Sequence, residues 1–271
     1  MTAPSEQTGE RPDAGDEPDE PCPAGTDDRS DDPGDQDAEE PEELLYADAP
    51  LPSDDELRAA MDWAFEVEEV PAGLLDRFAA HARMVLEGNR SMNLSSLVAP
   101  REVAAQHYLD SWRTTQFLAI FGRTVLDLAT GAGFPAVPMA LAEPDTKFLA
   151  VDARRSRVDF LTQCADELEL RNLEAIHAKG EEFLLQRKVD IVVVRGLSSV
   201  RENVRLLRKA RQGMHDLVML KGKSWSRELR AAEREAERLG FRFDTVWEHE
   251  LPGEQGQRAI LIYRAPGGAG R

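Results

Sequence analysis

The 271-residue chain carries 51 acids against 33 bases, a formal charge of −18, and only two cysteines. That composition excludes a disulfide-stapled scaffold and a cysteine zinc site, and no stretch reaches the about 20 apolar residues that cross a bilayer. The charge is uneven: 17 of the acids but only Arg11 and Arg29 lie in residues 1–43, which leaves 34 acids and 31 bases in the remainder, a net of −3. The acidity therefore describes one end of the chain and does not argue against an anionic partner.

Residues 1–43 are interrupted by prolines and glycines and hold no apolar cluster able to offset the entropy of ordering. A disordered acidic tail is expected over residues 1–52. No basic and apolar leader opens it, so a cytoplasmic address is expected. Ser53-Asp54-Asp55-Glu56 has the pattern of a capping box and opens a helical region over residues 53–122. A second helix is predicted over Gly73–Leu86, from the spacing of Leu74, Leu75, Phe78, Ala82 and Val85, then a polar break over Gly88–Asn93, then a third helix over Arg101–Phe121.

From Thr124 strands and helices alternate. Strands are predicted at Val125–Ala129, Lys147–Asp152, Leu173–Ala178, Asp190–Val194 and Asp216–Leu220, and helices at Ala136–Ala142, Arg154–Leu168, Val200–Arg211 and Ser224–Leu239. Such alternation builds a parallel sheet covered on both faces. Two further strands, Phe241–Glu250 and Arg258–Tyr263, are joined by the turn-rich Pro252–Gly256 and are expected to pair antiparallel. The fold class is α/β: a Rossmann-like sheet over 123–265, parallel with a terminal antiparallel hairpin, and a flexible end at 266–271. This is the plan of the AdoMet-dependent methyltransferases and not the usual plan of a dehydrogenase.

The densest signal is Thr124–Pro135, TVLDLATGAGFP. An apolar strand enters Gly131-Ala132-Gly133 and leads into a helix, the context in which glycine turns bind nucleotide-like ligands. On this pattern Gly131 permits the tight turn and Gly133 lets a ligand approach the backbone. Asp152 ends the next strand 21 residues after Gly131, the spacing that presents a carboxylate to ribose hydroxyls. Arg195 follows the strand at 190–194, where its paired donors could face a cofactor carboxylate or a nucleic-acid phosphate.

Missing groups narrow the chemistry. Arg195-Gly196-Leu197-Ser198 stands where amine methylation commonly uses Asn/Asp-Pro-Pro-aromatic, and no cysteine ends a strand to serve as a nucleophile. A ring nitrogen with its own lone pair, such as guanine N7, needs neither device. Arg201, Arg205, Arg208, Lys209 and Arg211, with Lys221 and Lys223, could engage phosphates or could form a solvated face. The five histidines lack ligand spacing, so no metal is expected.

Several stretches resemble the RsmG (GidB) family of 16S rRNA guanine-N7 methyltransferases, over roughly 74–263. They are Asn93-Leu94-Ser95-Ser96, His107-Tyr108-Leu109-Asp110-Ser111, Asp127–Pro138, Asp152 with Arg157, Phe160 and Leu161, and Leu220-Lys221-Gly222. The resemblance implies an AdoMet-dependent methyltransferase domain at 123–265. It implies S-adenosyl-L-methionine held by Ala129, Gly131, Gly133, Phe134, Asp152, Gly180, Glu181 and Arg195. His107, Asp110 and Lys221 would lie on the substrate side and, with Arg195, are the candidates for a catalytic role. The implied partner is 16S rRNA or the small ribosomal subunit, with no membrane, no metal and a monomeric enzyme. Departures include Ala129 and Ala136 in place of family glycines, Ser156 for a lysine, Lys179 for an arginine and Gly196 for an alanine. A small-molecule methyltransferase and a non-catalytic ribosome-binding relative are the alternatives.

Overall fold

The sheet is built from β1 (Thr124–Leu128), β2 (Lys147–Asp152), β3 (Leu173–His177), β4 (Ile191–Arg195), β5 (Asp216–Lys221), β6 (Arg242–Leu251) and β7 (Gly256–Arg264). This computed structural model describes residues 43–266, and they fall within one structural unit. The strand order is β3-β2-β1-β4-β5-β7-β6. The first five strands are parallel, and β7 pairs antiparallel with both β5 and β6. The expected Rossmann-like sheet with its terminal hairpin is present, and the order reverses between β1 and β4.

Alternate residues of a strand point to opposite faces, so a central strand apolar at every position serves two cores. In β4, Ile191 and Val193 join one core while Val192 and Val194 join the other. The first core is covered by α1 (Asp54–Ala64), α2 (Leu74–Met92), α3 (100–117), α4 (Ala136–Ala142) and α5 (Arg155–Glu167). The second is covered by α6 (Gly180–Gln186), α7 (Val200–Leu206) and α8 (Trp225–Arg238). The helical region before the sheet thus shares the sheet's own core. Phe78, Tyr108 and Trp112 pack there beside Phe65, and each side chain so buried contributes about 2–3 kcal/mol.

Four elements depart from the sequence reading by more than a residue or two at an end, or were not predicted. α1 begins at the Ser53 capping box as predicted, but α2 runs through the expected polar break to Met92. Asn89 is buried there because Ser95 satisfies its amide: Nδ2 donates to Ser95 O at 2.8 Å and Oδ1 accepts from Ser95 N at 2.9 Å. A Cβ on Gly88 would meet Leu94 Cδ1 at 2.9 Å, so that glycine is a packing residue. The third helix stops at Phe117, four residues before Phe121, where Leu118 turns extended; its middle, Val103–Leu109, is π-helical. The segment predicted as one helix over Val200–Arg211 breaks after Leu206 and resumes as a 3-10 turn at Arg211–Gly213. The short α6 had no prediction, because seven residues give too little periodicity to read.

The expected tail falls mainly on residues 1–42, and the expected flexible end on 267–271; both lie outside the described residues. The tail's last part is corrected. Residues 43–49 lie against the end of α2: Asn93 Nδ2 donates to Glu43 O at 2.7 Å, Leu45 N to Asn93 Oδ1 at 2.9 Å, and Arg90 Nε to Ala47 O at 3.0 Å. Partners for backbone groups, invisible in composition, order this stretch. Among the described residues no helix is long and apolar enough to cross a membrane, and no group of three acidic, histidine or cysteine side chains could hold a metal ion.

Candidate active site

Ligands of open α/β sheets bind beyond the carboxyl ends of the strands, where strand order reverses. Here that place lies between β1 and β4, and it brings together the turn after β1, Asp152 at the end of β2 and Arg195 at the end of β4. The turn is held from below by Asp127, a buried β1 residue. Its Oδ2 accepts from Thr130 Oγ1 at 2.6 Å and from Ala136 N at 3.1 Å, while Oδ1 is buried without a partner. Burial pushes this carboxyl up to about 6.

Three residues of the turn adopt left-handed backbone: Ala129 (φ 58°), Gly131 (φ 59°) and Gly133 (φ 92°). The roles of the two glycines reverse the sequence reading. A Cβ on Gly133 would lie 2.6 Å from Val137 Cγ2 and 2.8 Å from Leu161 Cδ2, so this glycine lets the turn pack against α4 and α5. A Cβ on Gly131 would find only Arg157 Nη1 at 3.9 Å. The open backbone, where a ligand can approach, is therefore at Gly131. Ala129 occupies a conformation that favours glycine, with its side chain exposed.

Asp152 is buried and fastens the turn to β2. Its Oδ2 accepts from Gly131 N at 2.9 Å, its Oδ1 from Arg154 N at 3.0 Å, and Arg157 Nη1 lies 3.8 Å away. Each carboxylate oxygen keeps a further lone pair for a hydroxyl donor. Gly180 begins α6 beyond β3, and a Cβ there would overlap Leu128 Cδ1 at 1.9 Å; Glu181 follows it, partly buried, in the first turn. Phe134 is not an exposed platform. Its ring stacks on His107 with centroids 4.1 Å apart and meets Tyr108 and His81 edgewise or tilted, so it pins the turn to α3 and α2.

Arg195 is the second half of the site, and α3 holds it. Nη2 donates to Gln106 O at 2.8 Å and to His107 Nδ1 at 2.7 Å, Nε lies 4.0 Å from Asp110 Oδ2, and Nη1 is buried with no partner. The π-helical stretch turns Gln106 and His107 together toward the guanidinium, and such stretches recur at functional sites. Burial, with Arg195 beside it, drives the His107 imidazole well below its ordinary range. The ring is thus neutral: Nδ1 accepts from Arg195 and Nε2 donates to Ser95 Oγ at 2.8 Å. His107 and Asp110 consequently touch Arg195 rather than open space.

Lys221 is turned away from this cluster. Its Nζ pairs with Glu228 Oε2 at 3.0 Å and donates to Ser198 O, which braces the loop after Arg195. The basic helix face is also drawn off. Arg201 and Arg205 pair with Glu235 of α8 at 3.5 and 2.7 Å. Arg208, Lys209 and Arg211 lie toward the amino edge of the sheet, since Gly213 O accepts from Val189 N just before β4. Gln106, His249 and Arg258, which carry no sequence signal, complete the site together with Ser95 of the resemblance motif, and each gains its role only from its partner in the fold. Asp127 and Thr130 lie within the turn motif, where an acid three residues before a hydroxyl is the available sequence clue.

A family model described as rRNA small subunit methyltransferase G matches residues 75–255. The chain is 32% identical over 185 residues to the ribosomal RNA small subunit methyltransferase G of Stutzerimonas stutzeri, covering 68% of this chain and 84% of that protein. It is 32% identical over 196 residues to the protein of the same name from Lachnoclostridium phytofermentans, covering 70% and 81%. With that of Carboxydothermus hydrogenoformans it shares 27% over 207 residues, covering 75% and 87%.

Proposed function

The chain belongs to the rRNA small subunit methyltransferase G family, and from that premise we propose that it transfers a methyl group from S-adenosyl-L-methionine to N7 of a guanine in 16S rRNA. On this reading residues 123–265 carry the chemistry, and the helical region at 53–122 supplies the wall that holds Arg195. One observation carries it: an open Gly131 turn and Arg195, whose buried Nη1 has no partner, both lie at the reversal point of the sheet. Both suit AdoMet, which has a nucleoside at one end and a carboxylate at the other. When bound, it supplies an electrophilic methyl on a sulfonium.

The chain's own residues bind and orient. Asp152 has lone pairs left for ribose hydroxyls, the Gly131 backbone admits the ligand closely, and Gly180 and Glu181 flank the same edge. Arg195 Nη1 is the donor for the carboxylate. Guanine N7 bears no proton, so the reaction asks for no general base, and alignment of N7 with the methyl group supplies the rate. This agrees with the state of the nearby titratable groups. His107 is neutral and occupied by Arg195 and Ser95, and Asp127 is buried beneath the turn. Neither is free to take a proton from substrate.

The test is methyl transfer to small ribosomal subunits by the full-length protein, followed by mass mapping of 16S rRNA and aniline cleavage after borohydride reduction. One labelled guanine with a cleavable N7 adduct is expected. Methylation at another atom would contradict the site reading, and AdoMet binding without methylation would favour the non-catalytic relative.

A further inference from the structure

His249 lies on β6, the edge strand of the hairpin, yet its side chain is only 7% exposed and its Nε2 is 3.0 Å from Asp110 Oδ1. Asp110 is itself 4% exposed, and its other oxygen faces Arg195 Nε at 4.0 Å. A carboxylate this deeply buried is held in its orientation by such partners. Directly opposite His249 on β7 is Arg258, so both side chains leave the same face of the hairpin. Arg258 Nη2 donates to Gln106 Oε1 at 2.9 Å, and Gln106 is the residue whose carbonyl accepts from Arg195. One cross-strand pair thus reaches two of the three α3 residues that hold the arginine, Asp110 and Gln106, the third being His107.

We propose that His249 is a positioning residue, which fixes Asp110 so that Arg195 presents Nη1 to the carboxylate of the cofactor. The proposal rests on the reading that Arg195 receives that carboxylate. Loss of the imidazole leaves Asp110 Oδ1 without a donor in a buried place, and the carboxylate then turns from Arg195 to find one. Gln at this position keeps an N–H donor at similar reach. Leu keeps the bulk and removes the donor.

The test is calorimetry on the full-length protein and its His249→Leu, His249→Gln and Arg195→Ala variants with two probes. AdoMet carries the carboxylate; 5′-methylthioadenosine carries the nucleoside and sulfur without it. His249→Leu is expected to weaken AdoMet about tenfold, the scale of one hydrogen bond to a charged group, and to leave methylthioadenosine unchanged. His249→Gln is expected to restore most of the loss. Unchanged AdoMet affinity in His249→Leu, an equal loss of both probes, or no recovery with Gln would overturn the positioning role. Arg195→Ala binding AdoMet as tightly as the parent would instead overturn the assignment of Arg195, and with it this proposal.

Discussion

Between Asp127 and Val137 the turn after β1 closes largely on itself, whereas Arg195 is held by residues drawn from α3 and, through Asp110 and Gln106, from the terminal hairpin. The turn is shaped by backbone conformation: left-handed residues, an acid that caps its amides, and one glycine wedged against α4 and α5. The Arg195 half is shaped by buried polar groups that satisfy one another. Tolerance to change should follow that difference. In the turn it depends on φ and on room for a Cβ, and around Arg195 it depends on whether each buried donor keeps an acceptor.

The largest expected effect is at Gly133. Gly133→Ala should cost about 4 kcal/mol in thermal unfolding, from overpacking against Val137 and Leu161 together with a left-handed φ. Gly131→Ala, with open space and the same hand of φ, should cost only about 1 kcal/mol. Equal costs would break the distinction between a packing and an approach glycine. Next is Asp110→Ala, which strands Arg195 and His249 together; denaturant unfolding should show a loss of about 3 kcal/mol.

His81 joins the two regions, and it sets the third prediction. It is hydrogen-bonded to Tyr108 at 2.8 Å and lies against Phe134 of the turn. Burial lowers its pKa from 6.5 to about 3, so the folded protein holds it neutral while the unfolded chain protonates it. Its contribution is full above pH 6.5 and is lost as pH falls from there toward 3, by about 1.4 kcal/mol at pH 5.5. Replacing both partners, His81→Leu with Tyr108→Phe, should remove that share of the stability difference between pH 7 and pH 5.5. A double variant with the parent's pH slope would contradict it. The smallest effect is at Ala129, where Ala129→Gly should stabilise by about 0.5 kcal/mol, because relief of the left-handed strain slightly exceeds the entropy of an added glycine. Loss of stability there would mean that the exposed methyl packs.

The same contrast explains what the amino-acid sequence made legible. The turn and the alternation of strands and helices are local patterns: Gly131, Gly133 and the capping box at Ser53 could be read from neighbours a few residues apart, and Asp152 from its place 21 residues on, at the end of the next strand. Even there, which glycine was wedged and which was open depended on Leu161 of another helix. His107 and Asp110 came from family resemblance, and their contact with Arg195 could not be spaced out along the chain. Gln106, His249 and Arg258 look like solvated residues until the hairpin and α3 meet. The basic run from Arg201 stays open between phosphate contact and a solvated face for the same reason, since its partner Glu235 is on a later helix. Gly88–Met92 looked like a loop because Asn89's partner lies beyond the helix it stabilises.

The proposed approach of AdoMet to the backbone at Gly131 can be checked by calorimetry of AdoMet binding to full-length Gly131→Ala. Affinity reduced at least about tenfold is expected, in a protein whose unfolding shows only the small backbone cost. AdoMet bound as tightly as by the parent, in a variant with that same small cost, would contradict it.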